Sequence, residues 1–238
     1  MTAKDKNKWQ EVWLRKGGEK SSYDLEGLMK ADGFDTNTGA MTVEDWLKAS
    51  ADIQKHLQVS QGSNLLEIGC GAGAMLWTMR ECGANLYGVD YSDTLIQKAR
   101  KAIPELSAEV CEAADLMFSD NMFEAVFSHG VFFYFENYDY AERAMNEILR
   151  VLTGSGKIFI LDVPDLEKRD ACETFRRDVV YAGEDYPTAE DSPYRHLYYS
   201  KSWFEEFGKR NRMKTTFFDQ SLPSYPMSPY RFNVLLEY

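Results

Sequence analysis

The sequence is poor in histidine, in paired cysteines and in positive charge. Only His56, His129 and His196 occur in 238 residues. The four cysteines, Cys70, Cys82, Cys111 and Cys172, form no Cys-x-x-Cys pair, and none has a histidine at zinc-ligand spacing. That pattern excludes a zinc ribbon, a redox dithiol and a disulfide scaffold, and no metal is expected. Free thiols suit a reducing compartment, so a cytoplasmic location is expected. The longest apolar runs are about five residues, against the ~18 or more of a membrane span. The first residues, MTAKDKNKWQ, are polar and lack a signal-peptide core, so no membrane partner is expected. Lys and Arg total 27 against 38 Asp and Glu, a net charge of −11. A field of that sign repels phosphate backbones, which argues against a nucleic-acid partner.

Apolar residues are plentiful by contrast, at 44% of the chain with 14 Phe and 14 Tyr. That is enough for a sizeable core, and the length fits one large domain with additions. From Thr42 onward the pattern alternates strictly. A helix over 42–57 opens on a capping-box-like Thr42 and Asp45. Strands are expected at 64–68, 86–89, 108–111, 123–127 and 157–163, with helices at 74–81, 92–102 and 140–152 between them. A further helix at 201–210 and two closing strands, 214–219 and 232–237, complete the series. Such alternation with short links predicts an α/β fold, a doubly wound and mostly parallel sheet. The polar residues 1–41 read as an N-terminal arm or lid rather than a core element. Residues 164–200, rich in tyrosine including Tyr181, Tyr186, Tyr194, Tyr198 and Tyr199, exceed an ordinary connection and read as a substrate-side insert in the domain 42–238.

One stretch carries chemistry. In LLEIGCGAGA, Leu65 to Ala74, a strand ends at Gly69, Gly71 and Gly73 and a helix begins at once. The glycines let the backbone turn sharply against a ligand, and a helix N-terminus offers N–H groups. The loop also satisfies the loose dinucleotide fingerprint, so glycines alone leave the ligand open. Glu67, just before the loop, would repel a diphosphate and suit a cation. Asp90, ending the second strand in GVDYS, can accept two ribose hydroxyls of either cofactor, or serve only as a helix N-terminal acid. A short-chain dehydrogenase would need Tyr-x-x-x-Lys, and no tyrosine here has a lysine four residues on.

Together these residues resemble the class I S-adenosylmethionine-dependent methyltransferases of small-molecule type, over about Thr42 to Tyr238. The resemblance implies a seven-stranded Rossmann-like sheet with an antiparallel last strand, in RFNVLLEY. It implies S-adenosyl-L-methionine as cofactor and S-adenosyl-L-homocysteine as product. By the same resemblance Glu67, Gly69, Gly71 and Gly73 hold the methionine part, Asp90 the ribose, and Tyr91 flanks the adenine. Ala114 and Asp115 in EAADL match the acid that meets the adenine, although Asp115 could equally cap a helix. Ser128 and His129 in FEAVFSHGVFFYF match the fourth-strand edge beside the sulfonium. WQEVW, with Trp9 and Trp13 four residues apart, is similar to the helix that covers the cofactor in thiopurine-type enzymes; a plain hydrophobic anchor is the alternative.

The expected function is methyl transfer to an O or N atom of a small molecule, the alternative being a methyltransferase fold that binds without turnover. His129 is the candidate base, or else an imidazole hydrogen-bonded near the cofactor. Tyr134, Arg195 and His196 are candidates to face the acceptor; core packing, a surface salt bridge and an incidental loop histidine are the respective alternatives. The oligomeric state is left open.

Overall fold

A computed structural model describes residues 8–35, 39–182 and 192–238. Seven strands form one sheet: β1 Asn64–Ile68, β2 Asn85–Asp90, β3 Ser107–Val110, β4 Phe123–His129, β5 Leu152–Pro164, β6 Lys214–Asp219 and β7 Arg231–Glu237. Their order is β3-β2-β1-β4-β5-β7-β6. Neighbours from β3 to β5 pair in parallel, and β7 runs antiparallel to both β5 and β6. The winding reverses between β1 and β4, so a crevice opens beyond their C-terminal ends, where ligands bind in open α/β sheets.

Strand alternation builds a core on each face. Phe127 and Phe159 pack with Trp46, Ile53, Met75 and Ile96 on one side. Val126 and Ile158 pack with Ile148, Phe204, Phe207 and Val234 on the other. The covering helices are α3 Val43–Leu57, α4 Ala74–Met79, α5 Asp93–Ala102, α6 Tyr138–Val151 and α8 Lys201–Arg210. Their starts are set by short polar caps: Thr42 accepts from the Asp45 N–H at 3.2 Å, Ser92 from Leu95 at 3.4 Å, Asn137 from Tyr140 at 2.8 Å and Ser200 from Trp203 at 3.3 Å. The Asp45 carboxylate does not close a capping box. It accepts instead from the Ser224 backbone and hydroxyl at 2.7 and 2.6 Å.

Three expectations change. The arm is not wholly peripheral: of its helices α1 Trp9–Gly17 and α2 Leu25–Ala31, the second buries Leu25, Leu28, Met29 and Ala31 in the main core. Strand β5 starts at Leu152 directly after α6, with a register break opposite Phe123 and Ala125, rather than at the expected residue 157. The insert ends on Tyr198 and Tyr199, which are core residues; the Tyr199 hydroxyl donates to the Phe132 carbonyl at 2.9 Å. Before them lie α7 Arg169–Phe175 and a π-helical turn Arg176–Val180. Tyr186 and the rest of 183–191, like 1–7 and 36–38 of the arm, lie outside the described residues.

Candidate active site

A cavity of about 420 Å³ occupies the crevice at the β1–β4 edge, within the ~300–1,000 Å³ of small-molecule sites. Its floor is the glycine loop. Gly71 has φ +54°, and a Cβ there would stand 2.2 Å from Asp32 Oδ1. Any side chain at Gly71 therefore collides with a carboxylate from the N-terminal arm. That carboxylate accepts from the Ala72 N–H at 2.6 Å and the Ala74 N–H at 3.2 Å. Asp90 accepts from Gly71 at 3.0 Å and from Ser92 at 2.8 Å. The N–H groups of Gly69 and Cys70 go to the Val89 carbonyl, and that of Gly73 to Cys70. Every loop N–H from Gly69 to Ala74 thus has an internal acceptor, contrary to the expectation of free donors. A diphosphate would find none to bind.

Five acids, Asp32, Glu67, Asp90, Glu112 and Glu136, border the cavity. Glu67 is 3% exposed, and its Oε2 has no hydrogen-bond partner. Burial pushes its carboxyl well above the usual range, and the charges of Asp32 and Asp90 add to the shift. Asp32 is pushed up to about 7, by burial first, against its two N–H bonds. Asp90 is pushed up to about 6 by the same cause, opposed by the Ser92 and Gly71 N–H groups. Such a site favours a cation, whose charge would stabilise all three carboxylates. Among the described residues, no three His, Cys, Asp or Glu side chains converge as a metal site.

The roof is aromatic. Trp9 and Trp13 on α1 meet the Tyr134 ring at 4.6 and 5.4 Å, and the Tyr91 hydroxyl donates to the Trp9 carbonyl at 3.4 Å. At the inner wall His129 is 6% exposed, with Phe34 at 5.5 Å and Trp46 at 5.3 Å between ring centres, and its Nε2 has no partner. Burial lowers its pKa; the Asp162 charge opposes this.

Trp13, Glu67, Gly69, Gly71, Asp90, Tyr91, His129 and Tyr134 therefore line one cavity. Six other candidates do not. Gly73 supports α4, where a Cβ would meet Ile103 and Ala99 at 3.2 and 3.3 Å. Ser128, on the opposite sheet face from His129, donates to the Ile68 carbonyl at 2.9 Å. Ala114 and Asp115 form the second half of a turn closed by Asp115 N–H to Glu112 O at 3.1 Å. Because β3 ends at Val110, the cavity takes Cys111, Glu112 and Ala113 instead. Arg195 is exposed, and its carbonyl accepts from Trp9 Nε1 at 3.3 Å. His196 Nδ1 pairs with Arg176 Nη1 at 2.8 Å, behind Tyr134. Sequence reasoning missed Asp32, Phe34 and Trp46, which only tertiary folding brings to the loop. The strand-to-loop boundary at Val110 was the available signal for Glu112 and Ala113.

A family model described as "Methyltransferase domain" matches residues 66–160, the span from the glycine loop through β5. A human "Probable tRNA methyltransferase 9B" is 34% identical over 48% of this chain and 24% of its own length. Demethylmenaquinone methyltransferase of Thermus thermophilus is 30% identical over 60% of this chain and 61% of its own. Among solved structures, Haemonchus contortus phosphoethanolamine N-methyltransferase 1 superposes with TM-score 0.67 at 17% identity, over 100% of this chain and 50% of that one.

The chain carries a methyltransferase domain over residues 66–160, and its seven-stranded sheet is that of the class I S-adenosylmethionine-dependent methyltransferases.

It spans only 24% to 27% of the length of its tRNA methyltransferase 9B relatives. The family's methyl donor fits what the site contains. S-adenosylmethionine carries a sulfonium and an ammonium and no phosphate, and the cavity offers buried carboxyls, among them Glu67 with an unpartnered Oε2, and no free loop N–H.

Proposed function

We propose that this methyltransferase moves a methyl group from S-adenosylmethionine to an O or N atom of a small molecule. The observation that carries the reading is the cavity itself, an acidic floor under an aromatic roof, half-closed by the arm. A net charge of −11 supports a small acceptor over RNA, although tRNA methyltransferases stand among the relatives.

Glu67 and Asp32 would face the cofactor's positive charge, and Asp90 would accept its ribose hydroxyls on lone pairs left over from the Gly71 and Ser92 bonds. Glu112 and Ala113 would border the adenine, with Trp13 and Tyr91 closing over it. When bound, S-adenosylmethionine supplies a methyl already activated by the sulfonium. The chain supplies approach geometry and dryness, through Phe34, Trp46 and Tyr134. His129, kept neutral at pH 7 by burial, takes the proton that an acceptor hydroxyl or ammonium loses, and the Asp162 charge favours the resulting imidazolium.

The test is transfer of labelled methyl to a panel of phenols, amines, carboxylic acids and tRNA. His129→Gln is expected to lower turnover by roughly 10²–10⁴-fold with little change in S-adenosylhomocysteine affinity. The wild-type rate is expected to rise with pH through a pKa below about 6.5 and to be level at pH 7. Label found only in tRNA would overturn the small-molecule assignment. Cofactor binding with no transfer to any acceptor would favour a fold that binds without turnover.

A further inference from the structure

Behind the inner wall lies a second buried polar cluster that the cofactor does not use. Strand β5 breaks register between Ile160 and Val163, and Asp162 inside the break has φ +60°, a conformation costly for a residue with a side chain. Asp162 accepts from the Tyr225 hydroxyl at 2.8 Å, and its N–H donates to Asn233 Oδ1 at 2.9 Å. Its other oxygen lies 3.7 Å from Nε of Arg231, longer than a hydrogen bond. Arg231 is 2% exposed and opens β7 opposite Pro164, so it sits at the same sheet edge as the glycine loop. Its guanidinium lies over the Phe133 ring at 4.6 Å, and Nε and Nη1 have no hydrogen-bond partner.

A buried guanidinium ordinarily spends its fork on carboxylate or carbonyl oxygens. A second buried guanidinium, that of Arg176 at 1% exposed, acts with Arg231 on His196, with Nη1 at 2.8 Å from His196 Nδ1. Arginine only donates, so that Nδ1 accepts and the His196 proton is on Nε2. Both guanidinium charges, after burial, hold His196 neutral. The cluster is separated from the cavity by little. Gly130 lines the cavity, and a Cβ there would come within 3.6 Å of Asp162 Oδ2. Tyr134, also in the lining, stacks edge-on with His196 at 5.7 Å.

We propose that this cluster is the anchoring subsite for the methyl acceptor, and that the acceptor carries an anionic group, carboxylate or phosphate, seated on Arg231 beside Arg176 and His196. The cavity is then polarised from end to end. Acids at the glycine loop hold the cationic donor, and Arg231 behind Gly130 holds the anionic acceptor, so the acceptor is drawn toward the sulfonium. Asp162 orients the guanidinium by its Nε edge and leaves the rest of the fork to the ligand. Anchoring of an acceptor rests on the methyl-transfer reading, whereas binding of an anion at Arg231 does not.

The experiment is calorimetric titration of the full chain, with and without S-adenosylhomocysteine, using inorganic phosphate, benzoate and the neutral benzamide as probes. Phosphate or benzoate is expected to bind, with benzamide at least about tenfold weaker, and the stronger of the two anions names the group. Arg231→Met is expected to cost the anion at least about tenfold while S-adenosylhomocysteine affinity stays within about twofold. Arg231→Lys keeps a point charge and loses the fork, so benzoate suffers more than phosphate. Equal binding of benzamide, no binding of either anion, or full anion affinity in folded Arg231→Met would overturn the proposal. Should Arg231→Met not fold, the wild-type arginine Nε–H resonance absent from the Arg231→Lys spectrum decides: anion addition must shift it, and an unmoved signal overturns the subsite. Failure of S-adenosylhomocysteine to bind would count against the methyltransferase reading and leaves the anion titration to stand by itself.

Discussion

Glu67 is the residue at which stability and binding oppose each other most sharply. Its carboxyl is held well above the usual pKa by burial and by two neighbouring acids. A raised folded pKa means that its contribution to stability is present below the unfolded value, about 4.3, and is lost as pH rises toward the folded one. Glu67→Gln removes the charge and keeps the shape. It is expected to stabilise the ligand-free protein at pH 8 by at least about 1 kcal/mol, roughly 2–4 °C for a domain of this size, and by less at pH 5. The same change is expected to weaken S-adenosylmethionine about tenfold, or ~1.4 kcal/mol. Thermal melts at the two pH values and a titration check both; an unchanged melting temperature with unchanged affinity would contradict the role. Glu67, Gly69, Gly71 and Asp90 were legible as cavity residues because they lie in one continuous strand–loop–helix–strand segment. Asp32 was not, since its 40-residue separation from Ala72 is closed only by the burial of α2. Asp115 falls outside the cavity lining, which after the end of β3 at Val110 takes Cys111, Glu112 and Ala113.

At the scale of elements, every strand of the sheet was visible, because buried parallel strands form short apolar runs between helices of period 3.6. The arm's helices were not separated, because their apolar residues are few and α1 is fastened by particular contacts. Trp9 stacks on Tyr134 at 4.6 Å and donates from Nε1 to the Arg195 carbonyl at 3.3 Å. The Lys8 N–H reaches the Pro193 carbonyl at 3.1 Å. Helix α1 therefore joins the end of the insert above the cavity. Amide exchange over residues 9–17 and 192–197 is expected to slow when S-adenosylhomocysteine binds, because opening would then cost the ligand contacts as well. Protection confined to 69–74 would show that the arm is a fixed anchor rather than a cover.

Taken as a whole molecule, the protein has a strong negative field with local exceptions: two buried arginines, Arg176 and Arg231, behind the inner wall of the crevice, and protonatable acids at the glycine loop. No helix among the described residues is long and apolar enough to cross a membrane. The central claim is that the crevice is built for a cationic cofactor, and its proton balance tests that most directly. With Asp32 at about 7 and Asp90 at about 6, both carboxyls are partly protonated near pH 6.5. A bound cation lowers their pKa values and expels protons. Titration of S-adenosylmethionine at pH 6.5, in buffers of different ionisation enthalpy, is predicted to show one-to-one binding with net release of protons. Binding without proton release, or with proton uptake, would contradict the account.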